Sequence, residues 1–183
     1  MRIAVYCSAK SDLPQHVVDD TRRFGTWIGL NGHTLVYGGL DKGLMGVVAQ
    51  AAADAGATVV GVVPQARLAN QHQANSVNIM CATLHERKQI MEENADIFVA
   101  LDGGIGTLDE MFAALASMTF FGDPKPIVML NRDHSLDPLT HLMANLVTRG
   151  LATPPASRRI AMADDIDQLI DIVGSQAQAQ TTE

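Results

Sequence analysis

Short apolar runs alternate with longer amphipathic segments along most of the chain. Five runs rich in branched aliphatic residues predict strands at Arg2–Cys7, His33–Gly38, Thr58–Val63, Ala95–Leu101 and Lys125–Leu130. Continuous apolar runs are typical of strands buried on both faces, and strands that alternate with helices form parallel sheets. The pattern therefore predicts an α/β fold, with a Rossmann-like parallel sheet and helices on both faces.

The segments between these runs predict helices, because their apolar residues recur three and four positions apart. The predicted helices lie near Leu13–Leu30, Gly43–Ala55, His85–Asn94, Gly106–Phe120 and Pro138–Thr148. In the fourth predicted helix, Met111, Leu115 and Met118 form an apolar stripe that contains two methionines. Such a stripe is more typical of a core or a dimer interface than of a module that binds another protein.

Two stretches depart from this alternation. Residues 64–82 are polar and predict a long loop before a short strand at Ile79–Ala82, and long loops in compact domains often serve function. After Leu151, the segment "RRIAMAD" predicts a last strand and Asp164–Val173 a closing helix. Residues 1–174 are predicted to form a single domain, and the polar tail of residues 175–183 is predicted to be disordered.

Charge and cysteine content exclude several classes of function. The formal net charge is −7, whereas nucleic-acid-binding domains usually carry a basic excess, so no nucleic-acid partner is expected. Cys7 and Cys81 are too few for a disulfide framework, and no apolar segment approaches the roughly 20 residues that span a bilayer. We therefore expect a cytoplasmic protein with reduced thiols and no membrane partner.

Two glycine-rich turns each join a predicted strand to a predicted helix. The first turn contains Gly38, Gly39, Gly43 and Gly46, and the second contains Gly103, Gly104, Gly106 and Thr107. Glycines let a ligand approach the main chain, and a helix N-terminus offers free N–H groups to an anion. One such turn is as often only a tight connection, but two at the carboxyl edge of one sheet favour a nucleotide or sugar phosphate. Neither turn matches the dinucleotide or the Walker pattern.

Glu110 has two interpretations. The segment "TLDE", Thr107 to Glu110, fits a capping box, in which the glutamate accepts a hydrogen bond from the N-cap N–H. Alternatively, Glu110 is a catalytic carboxylate beside the glycine turn. The sequence leaves both roles open.

Arg87 is predicted to lie on an apolar helical face, which it shares with Ile90, Met91 and Asn94. An arginine that faces the core needs an anionic partner. An internal ion pair with a carboxylate such as Asp96 and a role in substrate binding are both consistent with this position.

Three motifs follow one another along the chain: "YGG-x3-GLMG-x-VA", "HERK" and "DGG-x-GT-x2-E". In this order and strand context they resemble the LOG (Lonely Guy) family of cytokinin riboside 5'-monophosphate phosphoribohydrolases, over about Arg2–Thr153. The resemblance implies a homodimer that hydrolyses the N-glycosidic bond of a purine nucleoside 5'-monophosphate, releasing the base and ribose 5-phosphate. It places catalytic roles on Arg87 and Glu110. Binding of substrate and phosphate would fall to Gly38, Gly39, Gly43, Met45, Gly46, Lys88, Gly103, Gly104, Gly106 and Thr107.

Three positions depart from the family pattern. Asp102 stands where the family has proline, Leu40 where many members have glycine, and "CSAK" replaces the usual "CGSS". A carboxylate at position 102 would disfavour a nearby phosphate unless it points away or pairs with a base. A nucleotide sensor or carrier without turnover is therefore the alternative to a hydrolase.

The residue types suit glycoside chemistry, because an oxocarbenium-like transition state is stabilised by a carboxylate. Arg87 cannot act as a base at neutral pH, so its expected roles are to fix Glu110 and to bind substrate. The donor of the proton to the leaving base is not identified, and Asp109, His85 and His72 are the candidates. No metal and no cofactor are expected, since the motifs contain no metal-ligand cluster and no pyridoxal-phosphate signature.

Overall fold

A computed structural model describes residues 1–122, 125–152 and 160–180 of the chain. Across these residues, seven strands form one sheet in the order β4-β3-β2-β1-β5-β6-β7, and every neighbouring pair is parallel. The strands are β1 Arg2–Tyr6, β2 Thr34–Tyr37, β3 Thr58–Pro64, β4 Val77–Cys81, β5 Ile97–Ala100, β6 Ile127–Leu130 and β7 Ile160–Ala163. The predicted α/β fold with a parallel sheet is confirmed.

Helices follow the strands in alternation. They are α1 Gln15–Leu30, α2 Gly43–Asp54, α3 Leu84–Glu93, α4 Ile105–Phe121, α5 Asp137–Thr148 and α6 Ile166–Gln180. Short 3-10 helices span Gln65–Asn70 and Arg132–His134. Within the described ranges, none of the helices is long and apolar enough to cross a membrane.

The core lies on both faces of the sheet, because successive side chains of a strand point to opposite sides. In β1, Ile3 and Val5 belong to a cluster with residues of α1, α2 and α6, which includes Phe24 of α1. Ala4 and Tyr6 belong to a second cluster with residues of α3, α4 and α5. Helices therefore cover both faces, as the sequence predicts.

Glycines bring α1 close to α2. A Cβ at Gly25 would lie 2.6 Å from the carbonyl oxygen of Val48, and one at Gly29 would lie 2.5 Å from Cβ of Ala55. Only residues without a side chain allow this approach. The contact holds the middle and the end of α2 against α1, and residues of both helices line the cleft described below.

The methionine stripe of α4 is part of the core. Met111, Leu115 and Met118 are buried against the sheet, whereas Phe120 and Phe121 at the end of the helix are 84% and 77% exposed. The stripe itself is therefore not a surface for another protein. The exposed pair of aromatic rings lies one turn further along.

The structure differs from the predicted elements in two places. In the polar stretch, Gln65–Asn70 forms a 3-10 helix and β4 begins at Val77, two residues before its predicted start. The last helix continues past Val173 to Gln180, so residues 175–180, for which the sequence predicts disorder, are helical. Alanine and glutamine are good helix formers that can extend an existing helix, and Oγ of Ser175 donates to the carbonyl oxygen of Asp171. Residues 181–183 lie outside the described residues.

Candidate active site

The order of the strands reverses between β1 and β5, and ligands of open α/β sheets bind at such a switch point. The loops that follow these two strands border a cleft of about 650 Å³. Ser8 joins three elements there. Its N–H donates to the carbonyl oxygen of Asp102 at 3.0 Å, and its carbonyl oxygen accepts from the N–H of Leu44 at 2.9 Å. The cleft is therefore framed by the ends of β1 and β5 and by the start of α2.

Arg87 of α3 and Glu110 of α4 meet in the wall of this cleft. Nη1 of Arg87 lies 3.4 Å from Oε1 of Glu110, and their side chains are only 13% and 14% exposed. Nε of Arg87 also donates to the carbonyl oxygen of Val62 at 3.3 Å. The two residues to which the family resemblance gives catalytic roles thus form one largely buried ion pair that opens onto the cleft.

The environment of Glu110 disfavours its charged form relative to a carboxylate in water. Burial raises the pKa of Glu110, while the positive charge of Arg87 lowers it and the neighbouring Asp109 raises it again. The net shift is upward, so Arg87 only partly compensates the loss of solvation. A carboxylate held in this way interacts strongly with a positive charge that develops inside the cleft.

The capping interpretation of Glu110 is wrong. Helix α4 begins at Ile105 with Gly104 as its N-cap, so Thr107 lies inside the first turn and no side chain caps the helix. A side-chain cap is present on α3 instead, with Thr83 as its N-cap. There the N–H of Glu86 donates to Oγ1 of Thr83, and the N–H of Ala82 donates to Oε2 of Glu86 at 2.6 Å.

The internal ion pair expected for Arg87 is present, but its partner is not Asp96. Asp96 accepts hydrogen bonds from the N–H and from Nη2 of Arg2, at 2.7 and 3.1 Å. It lies at the opposite end of β5 from the cleft, because it immediately precedes that strand. Glu110 is therefore the carboxylate that balances Arg87.

The glycine turn after β5 is open toward the cleft. A Cβ at Gly103 would collide with Oγ1 of Thr107 at 2.1 Å, whereas a Cβ at Gly104 or Gly106 would meet no atom within 4 Å. These residues line the cleft at the N-terminus of α4. The first N–H groups of a helix have no partner inside the helix, so this turn can bind an anion.

The glycine turn after β2 contributes less directly. A Cβ at Gly38 would lie 1.5 Å from Nη2 of Arg87, so this glycine makes room for the arginine. Met45 lines the cleft. Gly39 and Gly43 have φ values of 74° and 55°, and both pack against neighbouring backbone. Gly46 faces Asp41 on another side of α2.

Lys88 and the proton-donor candidates lie elsewhere in the part of the chain that the structure describes. Nζ of Lys88 lies 2.9 Å from both carboxylate oxygens of Asp109, and Lys88 and His85 line a separate groove between α3 and α4. His72 is buried beside Asp41, at 3.5 Å from Nε2 to Oδ1. The structure does not bring these candidates to the cleft wall, so the donor stays unassigned.

Several residues in the cleft or directly behind it were not anticipated from the sequence. Lys10 and Lys42 line it, each a few residues beyond the end of a strand. Arg132, which follows β6, forms ion pairs with Asp102 and with Asp20 of α1. The signal that could have found them is position, since each cation follows the carboxyl end of a parallel strand.

Comparison with known proteins agrees with this geometry. A family model described as "Possible lysine decarboxylase" matches residues 45–173. A cytokinin riboside 5'-monophosphate phosphoribohydrolase from Mycobacterium tuberculosis is 37% identical over 169 residues, which cover 90% of this chain and 88% of the relative. One from Rhodococcoides fascians is 33% identical over 177 residues, covering 94% and 89%.

A solved structure shares the fold. The molybdenum cofactor binding protein from Rippkaea orientalis superimposes with a TM-score of 0.76 at 24% identity, over 96% of each chain. The family match spans most of the described sheet, and the two relatives cover nearly the whole chain. The chain therefore belongs to the LOG family of cytokinin riboside 5'-monophosphate phosphoribohydrolases, the family whose model carries the description "Possible lysine decarboxylase".

Proposed function

We propose that this protein hydrolyses the N-glycosidic bond of a purine nucleoside 5'-monophosphate and releases the free base and ribose 5-phosphate. The observation that carries the proposal is the buried pair of Arg87 and Glu110 at the wall of a cleft that also contains a helix N-terminus. Glu110 of the pair supplies a fixed negative charge, and the helix N-terminus supplies a site for an anion. A hydrolase of this kind needs the anion site to bind the phosphate and the negative charge to stabilise the positive charge that develops on the ribose.

The phosphate of the substrate binds in this proposal at the turn of Gly103, Gly104 and Gly106. The open space around the last two glycines leaves the N–H groups of α4 accessible. Lys10 and Lys42 add positive charge to the same cleft. Binding energy from the phosphate, remote from the reacting bond, is available to orient the ribose.

Glu110 stabilises the ribose as its C1–N bond breaks. The electron pair of that bond leaves with the base, and positive charge develops on the ribose ring. The buried carboxylate opposes this charge and orients the water that attacks C1. Arg87 holds Glu110 and remains protonated throughout, because an arginine pKa exceeds about 12.

The base faces an apolar wall in this arrangement. Leu13, Pro14 and Val17, at and before the start of α1, line the cleft together with Met45. Such a wall suits the flat apolar face of a purine. The names of the two relatives support a cytokinin nucleotide as substrate, and we include AMP as the simplest purine nucleotide of this class.

A non-catalytic carrier is the second candidate. Its support is the shared fold with a molybdenum cofactor binding protein, but at 24% identity this likeness concerns the fold alone. A carrier needs no buried carboxylate with a raised pKa inside its ligand cleft. Glu110 therefore favours the hydrolase.

We also propose that the protein is a cytoplasmic homodimer. The exposed rings of Phe120 and Phe121 adjoin the groove between α3 and α4, which forms an apolar surface suited to a second copy. Helix α2, which is also rich in apolar residues, packs against α1 and is not available for an interface of this kind. The free thiols of Cys7 and Cys81 are buried, in keeping with a reducing compartment.

The proposal is tested with a panel of AMP, GMP, CMP, UMP, a cytokinin riboside 5'-monophosphate and adenosine, each followed by chromatography of the released base. We expect cleavage of one or more purine nucleotides, no dependence on metal ions and no change with EDTA. Adenosine should react far more slowly than AMP, because it lacks the phosphate. Equal rates for adenosine and AMP, or loss of turnover in EDTA, would contradict the proposal.

A further inference from the structure

Asp102 brings a negative charge to the place where the proposed function puts a phosphate. It is the second residue after β5, which ends at Ala100, and it lines the cleft next to Gly103 and Gly104. Its backbone is fixed, because its carbonyl oxygen accepts from the N–H of Ser8 at 3.0 Å. Without a partner, this carboxylate would repel a phosphate dianion.

Arg132 is that partner, and it reaches Asp102 from the neighbouring strand β6. Nε of Arg132 lies 3.2 Å from Oδ1 and 3.4 Å from Oδ2 of Asp102, and Nη2 lies 3.5 Å from Oδ2. Nη2 also donates to Oδ2 of Asp20 on α1, at 2.6 Å. The guanidinium thus joins two carboxylates from different elements, with side-chain exposures of 17% for Arg132 and 25% for Asp102.

The geometry places Arg132 behind the cleft and not in it. Asp102 belongs to the cleft wall, whereas Arg132 is not among the described residues that line it. Both carboxylate oxygens of Asp102 are therefore held on the side that faces β6. Burial lowers the pKa of Arg132, but the hydrogen bonds to Asp20 and Asp102 outweigh this effect and raise it, so the cation is permanent.

We propose that Arg132 is a positioning residue for phosphate binding: it holds the carboxylate of Asp102 away from the glycine turn and screens its charge, so that the turn accepts a dianion. The inference rests on the phosphate site of the proposed function. It assigns to Arg132 an effect on the affinity for phosphate, and none of its atoms needs to contact the ligand.

This role differs from a purely structural role, in which Arg132 only stabilises the fold. If Arg132 only links β6 to α1 and β5, its loss weakens the fold and the damage persists whatever stands at position 102. If it acts on the charge of Asp102, removing that charge restores binding. The second substitution therefore separates the two roles.

The experiment compares wild type with Arg132→Met, Asp102→Asn, the double variant and Arg23→Met as a matched control. Arg23 also pairs with an aspartate, Asp167, but this pair connects α1 to α6 and its residues lie outside the cleft wall that the described residues form. The dissociation constant of ribose 5-phosphate is measured by calorimetry at low ionic strength. Thermal unfolding of each variant is recorded in parallel.

We expect Arg132→Met to weaken ribose 5-phosphate binding about tenfold, because an uncompensated carboxylate then faces the phosphate. The dissociation constant of the double variant for ribose 5-phosphate should return to within about threefold of the wild-type value, even if its melting temperature remains lower than that of wild type. Asp102→Asn and Arg23→Met should bind as well as wild type or more tightly. These outcomes together support the positioning role.

The inference is overturned if Arg132→Met binds like wild type, or if the double variant binds as weakly as Arg132→Met. It is also overturned if the wild-type protein does not bind ribose 5-phosphate. If the protein binds ribose 5-phosphate but cleaves no nucleotide of the panel, the proposed hydrolase is rejected. The role of Arg132 is then still tested by the same comparison of variants. The two failures are therefore distinguishable.

Discussion

Replacing Glu110 by glutamine separates charge from shape at the proposed catalytic residue. Glutamine preserves the size of the side chain and one carbonyl oxygen beside Arg87, but it removes the negative charge. The carboxylate is only 14% exposed, so its interaction with a nearby positive charge is weakly screened. The substitution therefore acts on the transition state more than on the architecture of the cleft.

The expected magnitude follows from this burial. Two unit charges about 4 Å apart interact by about 4 kcal/mol at an effective dielectric constant of about 20. The amide dipole of glutamine retains part of this energy. A loss of about 2.7 kcal/mol corresponds to a fall of about 100-fold in kcat.

Stability should not fall with activity. Burial raises the pKa of Glu110 even with Arg87 beside it, so the folded protein disfavours the ionised form relative to the unfolded chain. This cost develops as the pH rises above the unfolded pKa of about 4.3 and is complete above the folded pKa. Glutamine carries no such cost, so at pH 7 the melting temperature of Glu110→Gln should equal or exceed that of wild type.

The assay measures kcat for AMP, or for the best nucleotide of the panel, together with thermal unfolding. Glu86→Gln is the matched control, because Glu86 accepts a backbone hydrogen bond at the start of α3, and the amide oxygen of glutamine can accept the same bond. This control should retain wild-type turnover. Near-wild-type kcat in a folded Glu110→Gln protein would refute the catalytic role and favour the carrier.

Three further predictions concern titration, packing and assembly. The acid limb of the pH profile of kcat/KM should lie above the ordinary glutamate pKa of about 4.3, because burial raises the pKa of Glu110; a limb below that value would contradict this. Gly38→Ala should lower kcat about as much as Arg87→Ala, since its Cβ would lie 1.5 Å from Nη2 of Arg87; steady-state kinetics of both variants test this. Replacing Phe120 and Phe121 together by serine should convert the proposed dimer to a monomer in light scattering, and an unchanged mass would exclude this surface as the interface.

The sequence predicts the elements well because the apolar runs are short, continuous and separated by helical segments. Burial on both faces makes β5 apolar throughout and β1 apolar after Arg2, and such runs can be recognised from neighbouring residues alone. The first and last residues of a helix or strand are harder to predict from the sequence. Helix α4 starts at Ile105, whereas Thr107 could cap the helix only if it began at Leu108.

The contacts between distant residues were harder to predict. The motifs identify Arg87 and Glu110, but their pairing depends on how α3 packs beside α4. Arg132 lies 30 positions from Asp102, and only the adjacency of β5 and β6 brings them together. A local reading of "LDGG" finds an unpaired carboxylate, whereas the folded chain supplies its partner.

Incubating the purified protein with AMP or a cytokinin riboside 5'-monophosphate and identifying the products tests the central claim most directly. The account predicts free base and ribose 5-phosphate in equal amounts, because water adds to C1 as the C1–N bond breaks. Release of inorganic phosphate and a nucleoside would show cleavage of a different bond. That result, or nucleotide that binds and is recovered unchanged, would contradict the account.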